Sequence, residues 1–166
     1  MLTADYVKYL LDYDRETGIF TWKKIMASGR IKPGSIAGGR GQGRDQYTII
    51  TINKKRYKAH RLAWLIEHNE WPKQSLDHIN GDGFDNRIAN LRLCSFSENK
   101  ANSARYKNNK TGFKGVFWNK KLNKFTASLR VNGKGIFLGV FPSKEEAAQA
   151  YLNAAQQYFG LFARAA

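Results

Sequence analysis

Residues 75–102, "SLDHINGDGFDNRIANLRLCSFSENKAN", gather three aspartates, one histidine and five asparagines in a chain of formal net charge +15. Asp77 and His78 are neighbours; Asn90 follows the histidine by twelve positions and Asn99 comes nine later. An imidazole titrates near neutral pH and can take a proton from water. A carboxylate is a hard oxygen donor suited to Mg2+. Phosphodiester hydrolysis needs this pair of abilities: a base for the attacking water, and a cation to steady charge on phosphate and leaving oxygen. A calcium loop fits worse, because position twelve counted from Asp77 is Ile88 where that loop requires a glutamate.

The flanking elements must bring these groups together. Successive side chains on a strand point to opposite faces. Asp77 and His78 can therefore share a site only at a strand end, and "INGDG" supplies the bend. A second strand, "NLRLCS", and a helix from Ser97 would return Asn99 towards Asp77. The expected order is strand, loop, strand, helix. Asp82, Asp85 and Asn86 are expected to shape the loop, since Asx side chains favour tight turns.

These residues resemble the HNH endonucleases, the ββα-metal nucleases of phages and mobile introns. The matches are "DH" at 77–78, Asn90 within "DNRIANL", and Asn99, in the H-N-N form where asparagine replaces the last histidine. The resemblance implies a metal-dependent endonuclease acting on double-stranded DNA, of site-specific nicking or homing type, leaving 5′-phosphate and 3′-hydroxyl ends. It implies His78 as general base and Asn90 as the brace that orients it. Asp77 and Asn99 would bind one divalent ion, Mg2+ first and Mn2+ as its substitute. Asn102, one helical turn beyond Asn99, is open for the same role. An amide is a weak ligand, so metal affinity should be modest until DNA phosphate joins the shell. A DNA-binding regulator that keeps the scaffold without the chemistry is the alternative. Cys94 is the only cysteine, which rules out the cysteine-pair structural zinc of many HNH domains. The ββα unit must instead rest on the N-terminal segment, with "AHRLAWLIEHNEWP" resembling the piece before the motif in homologues.

Upstream, Thr3 reads as the N-cap of a helix through residue 13, and "TGIFTW" as a strand. The Gly- and Arg-rich stretch 27–46 matches no nucleotide-binding fingerprint. It is expected to be a basic loop whose Arg40 and Arg44 can touch a phosphate backbone. "YTIITI", "NKK" and "RYKAHRL" read as a hairpin, followed by a helix from His60 to His68 ended by Trp71-Pro72. His60 and His68 read as structural or surface groups.

Beyond residue 111, "GFKGVFWN", "KFTASLRV" and "GIFLGVF" read as three strands. A helix follows, capped by Ser143 and Glu146, with Ala147, Ala150, Tyr151, Ala154 and Tyr158 on its packing face. "KGV", "LGVF" and "EEAAQAY…AA" resemble the Apetala2/ethylene-response-factor DNA-binding domain, which implies a sheet laid in the major groove. Alternation turns Val116, Leu129, Leu138 and Phe141 towards the helix. Lys114, Asn119, Ser128, Arg130 and Phe137 fall on or near the open face, with Lys134 at its margin. Phe117 and Trp118 stand where plant members carry arginines, so their base code does not transfer.

The fold class is therefore α+β: a ββα-metal core with an N-terminal hairpin and helix, plus a three-stranded antiparallel sheet on one helix. The expected division is a nuclease domain over 1–104, a linker over 105–111 and a DNA-reading domain over 112–166 that governs affinity and site choice more than chemistry. Basic residues outnumber acidic ones 13 to 7 in residues 1–72, 7 to 4 in 73–110 and 8 to 2 in 111–166, which favours a polyanion partner. No apolar run approaches the roughly 18 residues that span a membrane. A monomer in a reducing, cytoplasmic setting, bacterial or phage-infected, is the default.

Overall fold

A computed structural model describes residues 2–24, 31–41, 46–105 and 108–164. Helix α1 (Ala4–Leu10) starts where the Thr3 hydroxyl accepts the Tyr6 N–H at 3.3 Å. It stops short of residue 13 because Leu11 is already extended (φ −125°, ψ 145°). Leu11 opens β1 (Leu11–Tyr13), which pairs antiparallel with β2 (Phe20–Trp22) and sets Leu11 opposite Trp22. Strands β3 (Gly39–Arg40), β4 (Thr48–Ile52) and β5 (Lys55–Lys58) form a sheet in that order. The β4–β5 turn is Asn53-Lys54, both with positive φ (49° and 63°), which matches the right-handed twist of a tight hairpin.

Helix α2 (Ala59–His68) buries Leu62, Ala63 and Leu65. It ends before Trp71-Pro72, because Asn69 takes the left-handed conformation (φ 57°) that closes helices. Val7, Leu11, Ile50, Ile52 and Leu62 are the largest wholly buried side chains of this half, and Leu91 joins their cluster. Each is worth roughly 1.5–3 kcal/mol of apolar burial.

Strands β6 (Ser75–His78) and β7 (Leu91–Cys94) pair, and α3 (Phe96–Asn102) follows. The strand–loop–strand–helix order read from sequence is thus present along the chain. A full capping box starts α3: Glu98 N–H donates to the Ser95 hydroxyl at 3.2 Å, and Ser95 N–H donates to the Glu98 carboxylate at 2.7 Å.

Two compact units divide the chain, Met1–Leu93 and Cys94–Ala166. In the second, β8 (Val116–Asn119), β9 (Lys124–Val131) and β10 (Lys134–Phe141) make an antiparallel sheet with β9 central, and α4 (Lys144–Phe159) packs on one face. Val116, Leu129, Leu138 and Phe141 lie on the helix side, and Leu138 and Phe141, three residues apart, share that side only because the register shifts between Phe137 and Gly139. The buried face of α4 is Ala147, Tyr151, Ala155 and Phe159; Tyr158 is exposed, so the face is rotated from the expected one. Gly115 lets α4 come close, since a Cβ there would lie 2.1 Å from the Tyr151 ring.

The units part earlier than the expected division near residue 104. Ala101 of α3 is buried with Leu129, Tyr151, Ala155 and Phe159, which ties α3 to the C-terminal sheet and helix. Part of the expected linker is also ordered: the Asn109 carboxamide donates to Phe113 O at 2.8 Å and accepts from Gly112 N–H at 2.9 Å. Among the described residues, no helix is long and apolar enough to cross a membrane.

Candidate active site

Strand β6 ends on Asp77 and His78, each 5 % exposed. The Asp77 carboxylate accepts Nε of Arg92 at 3.0 Å and lies 2.9 Å from its Nη2, an ion pair that bridges β6 and β7. The His78 ring meets the edge of His60 at 4.8 Å between centroids, and the Tyr47 ring lies 5.8 Å from His78 and 5.1 Å from His60. His60, read from sequence as structural or surface, is buried against the candidate base. Nothing in the spacing of positions 47, 60 and 78 signals this cluster, because each comes from a different part of the chain.

Burial pushes His60 down to about 3, and the neighbouring His78, Lys58 and Arg61 charges add to the shift. Burial also lowers His78, against the opposing pull of the Asn86 amide and the Asp77, Asp82 and Asp85 carboxylates. Both imidazoles are therefore neutral at pH 7, and a neutral imidazole is the form that accepts a proton.

The loop after His78 is held by Asn90. Its carboxamide oxygen accepts Asn80 N–H at 3.0 Å, and its NH2 donates to Asn80 Oδ1 at 3.0 Å and to Asp85 O at 2.9 Å. The Asn90 carbonyl accepts Ile79 N–H at 2.9 Å. Asp82 accepts Phe84 N–H at 2.9 Å, and Asp85 binds Arg87 and Asn80, so these oxygens hold the loop together. The Arg87 guanidinium brings Asp85 down to about 2.

N-terminal residues support the outside of this loop. Tyr13 donates to Asn86 O at 2.8 Å, Ile88 N–H donates to Arg15 O at 3.3 Å, and Arg40 lies 4.6 Å over the Phe84 ring. The contact is too close for other residues at two points. A Cβ on Gly83 would lie 2.0 Å from Gln46 O, and one on Gly18 2.4 Å from Arg87 N. Arg44 lies outside the described residues.

Asn99 and Asn102 both belong to α3; Asn102 is buried and ends the helix, while Asn99 is half-buried. Within the C-terminal unit, α3 is clamped at both ends. Asn132 N–H donates to Ser97 Oγ at 3.0 Å. The Lys114 ammonium donates to the carbonyls of Lys100 (3.0 Å), Ala101 and Ser103 (2.7 Å), near the end where the helix carries its negative dipole. This corrects the expectation for Lys114, whose charge faces the helix end rather than the open sheet face. Burial lowers it to about 8. Asn119 is also engaged, since its carboxamide oxygen accepts Lys121 and Leu122 N–H groups and shapes the β8–β9 turn.

On the open face, Phe117 stands opposite Thr126, Phe137 opposite Ser128, and Arg130 opposite Gly135. Phe117, Arg130 and Phe137 are exposed, as is Lys134 at the start of β10.

Among the described residues, no group of three or more His, Cys, Asp or Glu side chains is placed to hold a metal ion. Asp77 offers a carboxylate in the first unit, and Asn99 and Asn102 each offer a side-chain amide in the second. Such hard oxygens suit an ion that keeps several waters and takes phosphate oxygens from its substrate, rather than one enclosed by protein.

A model of the HNH endonuclease family matches residues 57–101, the span holding α2, β6, the braced loop, β7 and most of α3. The chain is 33 % identical over 85 residues to protein 3.8 of Escherichia phage T7, an alignment covering 49 % of this chain and 70 % of that protein. It carries an HNH endonuclease domain and belongs to one family with the T7 protein. An uncharacterized HNH endonuclease of Acanthamoeba polyphaga mimivirus is 33 % identical over 116 residues, 69 % of this chain and 59 % of that protein. No solved structure matches the chain. HNH nucleases generally use a divalent metal, and the hard oxygens of this HNH domain suit one.

Proposed function

We propose that this HNH protein is a metal-dependent endonuclease that hydrolyses one phosphodiester of double-stranded DNA per active site. The observation that carries the reading is the Asn90 brace. Its carboxamide ties down both sides of the loop immediately after His78, at the position the H-N-N pattern assigns to it.

In this reading His78, kept neutral by burial, takes a proton from water as the water attacks phosphorus. The 3′ oxygen departs, leaving 5′-phosphate and 3′-hydroxyl ends. Asn90 fixes the backbone that carries the imidazole. Asp77 and an amide of α3, Asn99 or Asn102, would hold one divalent ion, Mg2+ before Mn2+. The ion would supply positive charge for the phosphate and the leaving oxygen. Arg92 already compensates the Asp77 carboxylate, so the ion is expected to bind tightly only when DNA adds phosphate oxygens.

Residues from 112 onward serve as the DNA-reading module, similar to the Apetala2 type. What supports this is the sheet-on-helix architecture and the ratio of 8 basic to 2 acidic residues in 111–166. A monomer with one site nicks, and two chains acting together cut both strands. The setting proposed is the cytoplasm of a bacterial or phage-infected cell. The product ends provide a test. Supercoiled plasmid opened by the protein and Mg2+ should be resealed by DNA ligase without prior end repair; nicks that ligase rejects would overturn this chemistry.

A further inference from the structure

The open face of the β8–β9–β10 sheet exposes apolar groups that phosphodiester chemistry does not use. Phe117 is 55 % exposed, Phe137 66 % and Val140 40 %. Phe117 and Val140 flank Thr126 across the central strand, and Phe137 flanks Ser128. The register shift between Phe137 and Gly139 is what places Phe137 and Val140 on the same face. Trp118 pairs with Phe125 and contacts its ring at 4.8 Å, on the other side of the sheet.

Exposed Lys124 and Arg130 stand on the same face of the central strand, while Lys134 pairs with Val131 on the helix side, and residues 111–141 contain no acidic side chain. Glu145 and Glu146, the two acids of this region, open α4 on the opposite face. Large apolar groups with a basic rim mark a contact surface for an anionic partner with apolar features of its own.

Duplex DNA meets both requirements. Its major groove admits β-structure, and the apolar group displayed there is the C5-methyl of thymine. Phe117 and Phe137 are two strands and two residues apart, about 12 Å by strand geometry. That spans roughly three to four base steps of about 3.4 Å, too wide for stacking on successive bases of a single strand.

We propose that Phe117 and Phe137 select thymine through its 5-methyl group when the open sheet face lies in the major groove of duplex DNA. This rests on reading residues 112–166 as the DNA-binding module. Thr126 and Ser128, lying between the rings, offer hydroxyls to base edges, while Arg130 and Lys124 hold the phosphates. A methyl taken out of water on such a ring is worth about a fourfold change in affinity.

The test compares two alternating copolymers, poly(dA-dT) and poly(dA-dU), which differ by that methyl alone. Binding of the full chain is measured by fluorescence anisotropy in chelator, so that no cleavage intervenes. The expected result is at least about fourfold tighter binding to the thymine copolymer. The double variant Phe117→Ala/Phe137→Ala should bind both copolymers alike, at about the wild-type affinity for poly(dA-dU). Its melting temperature should stay near wild type, because both rings are exposed. Equal wild-type affinity for the two copolymers would overturn thymine selection while leaving DNA binding in place. No binding to either would overturn the DNA-binding module itself. Tighter binding to single-stranded oligo(dT) than to either duplex would overturn the major-groove assignment.

Discussion

Arg92 holds its guanidinium 2.9 Å from the Asp77 carboxylate, and both side chains are largely buried. A bound cation must share that carboxylate with a fixed positive charge. Replacing Arg92 with Met should therefore tighten Mn2+ binding in the absence of DNA by at least about tenfold, since a divalent ion about 6 Å from a unit positive charge is repelled by about 1.4 kcal/mol even at the dielectric of water. The same change leaves a buried carboxylate uncompensated and should cost about 3–5 kcal/mol of stability, partly restored by Mn2+. Titration calorimetry and thermal melts with and without the ion check both. Unaltered metal affinity in Arg92→Met would place the ion away from Asp77.

The Lys114 ammonium caps the carbonyl end of α3, so the helix that carries Asn99 stands on the C-terminal sheet. Lys114→Met should cost about 2 kcal/mol and speed amide exchange in residues 99–103 more than elsewhere. Lys114→Arg should restore most of the protection. Against the sequence expectation that residues 112–166 govern affinity more than chemistry, their removal should also abolish cleavage, because α3 loses its support. A truncated chain that cleaves at the full-length rate at saturating DNA would sever this link.

Acid should act on the two imidazoles in a defined window. His60 and His78 have folded values below the ordinary 6.5, with His60 near 3, so between those limits the unfolded chain binds more protons than the folded one. Stability is then fully present above 6.5 and falls as pH drops, by up to about 1.4 kcal/mol per unit for each imidazole. His60→Leu should flatten part of that slope in denaturant midpoints measured across the range. The acid limb of kcat/KM should lie below 6.5, set by His78. A limb above 6.5 would mean that a different group is the base.

Asn90→Ala removes the bonds to Asn80 and Asp85 that tie the loop after His78. The base would then sit on a mobile segment, and misplacement of that kind costs up to about a hundredfold in rate. The expected outcome is a large fall in kcat with DNA affinity nearly unchanged. Asn90→Asp, which keeps the acceptor and loses the donors, should fall between. A loss confined to KM would make Asn90 a DNA contact instead.

The strand–loop–strand–helix order was readable because the Asx-rich turn and the short strands that flank it are local, whereas the capping box at Ser95 and Glu98 starts the helix at Phe96, one residue before the expected Ser97. The Ser143 cap of α4 was local as well. What escaped depends on long-range packing. The Tyr47–His60–His78 cluster unites residues from distant segments. Lys114 finds its carbonyl partners only once the sheet has folded against α3. Leu11 satisfies a helical and a strand pattern equally, and its core contacts decide for the strand. In the Ala-rich α4, steps of three and four residues are hard to tell apart, so Tyr158 and Phe159 exchanged roles.

In the proposed mechanism His78 is the base of a DNA-cleaving site. Its most direct test is the initial rate of nicking of supercoiled plasmid in Mg2+ by wild type and His78→Ala, at matched DNA occupancy. The expected result is conversion to open circles by wild type, its arrest by chelator, and a loss of at least about a hundredfold in the variant. His78→Ala nicking at the wild-type rate, or a wild-type protein that nicks no DNA, would contradict it.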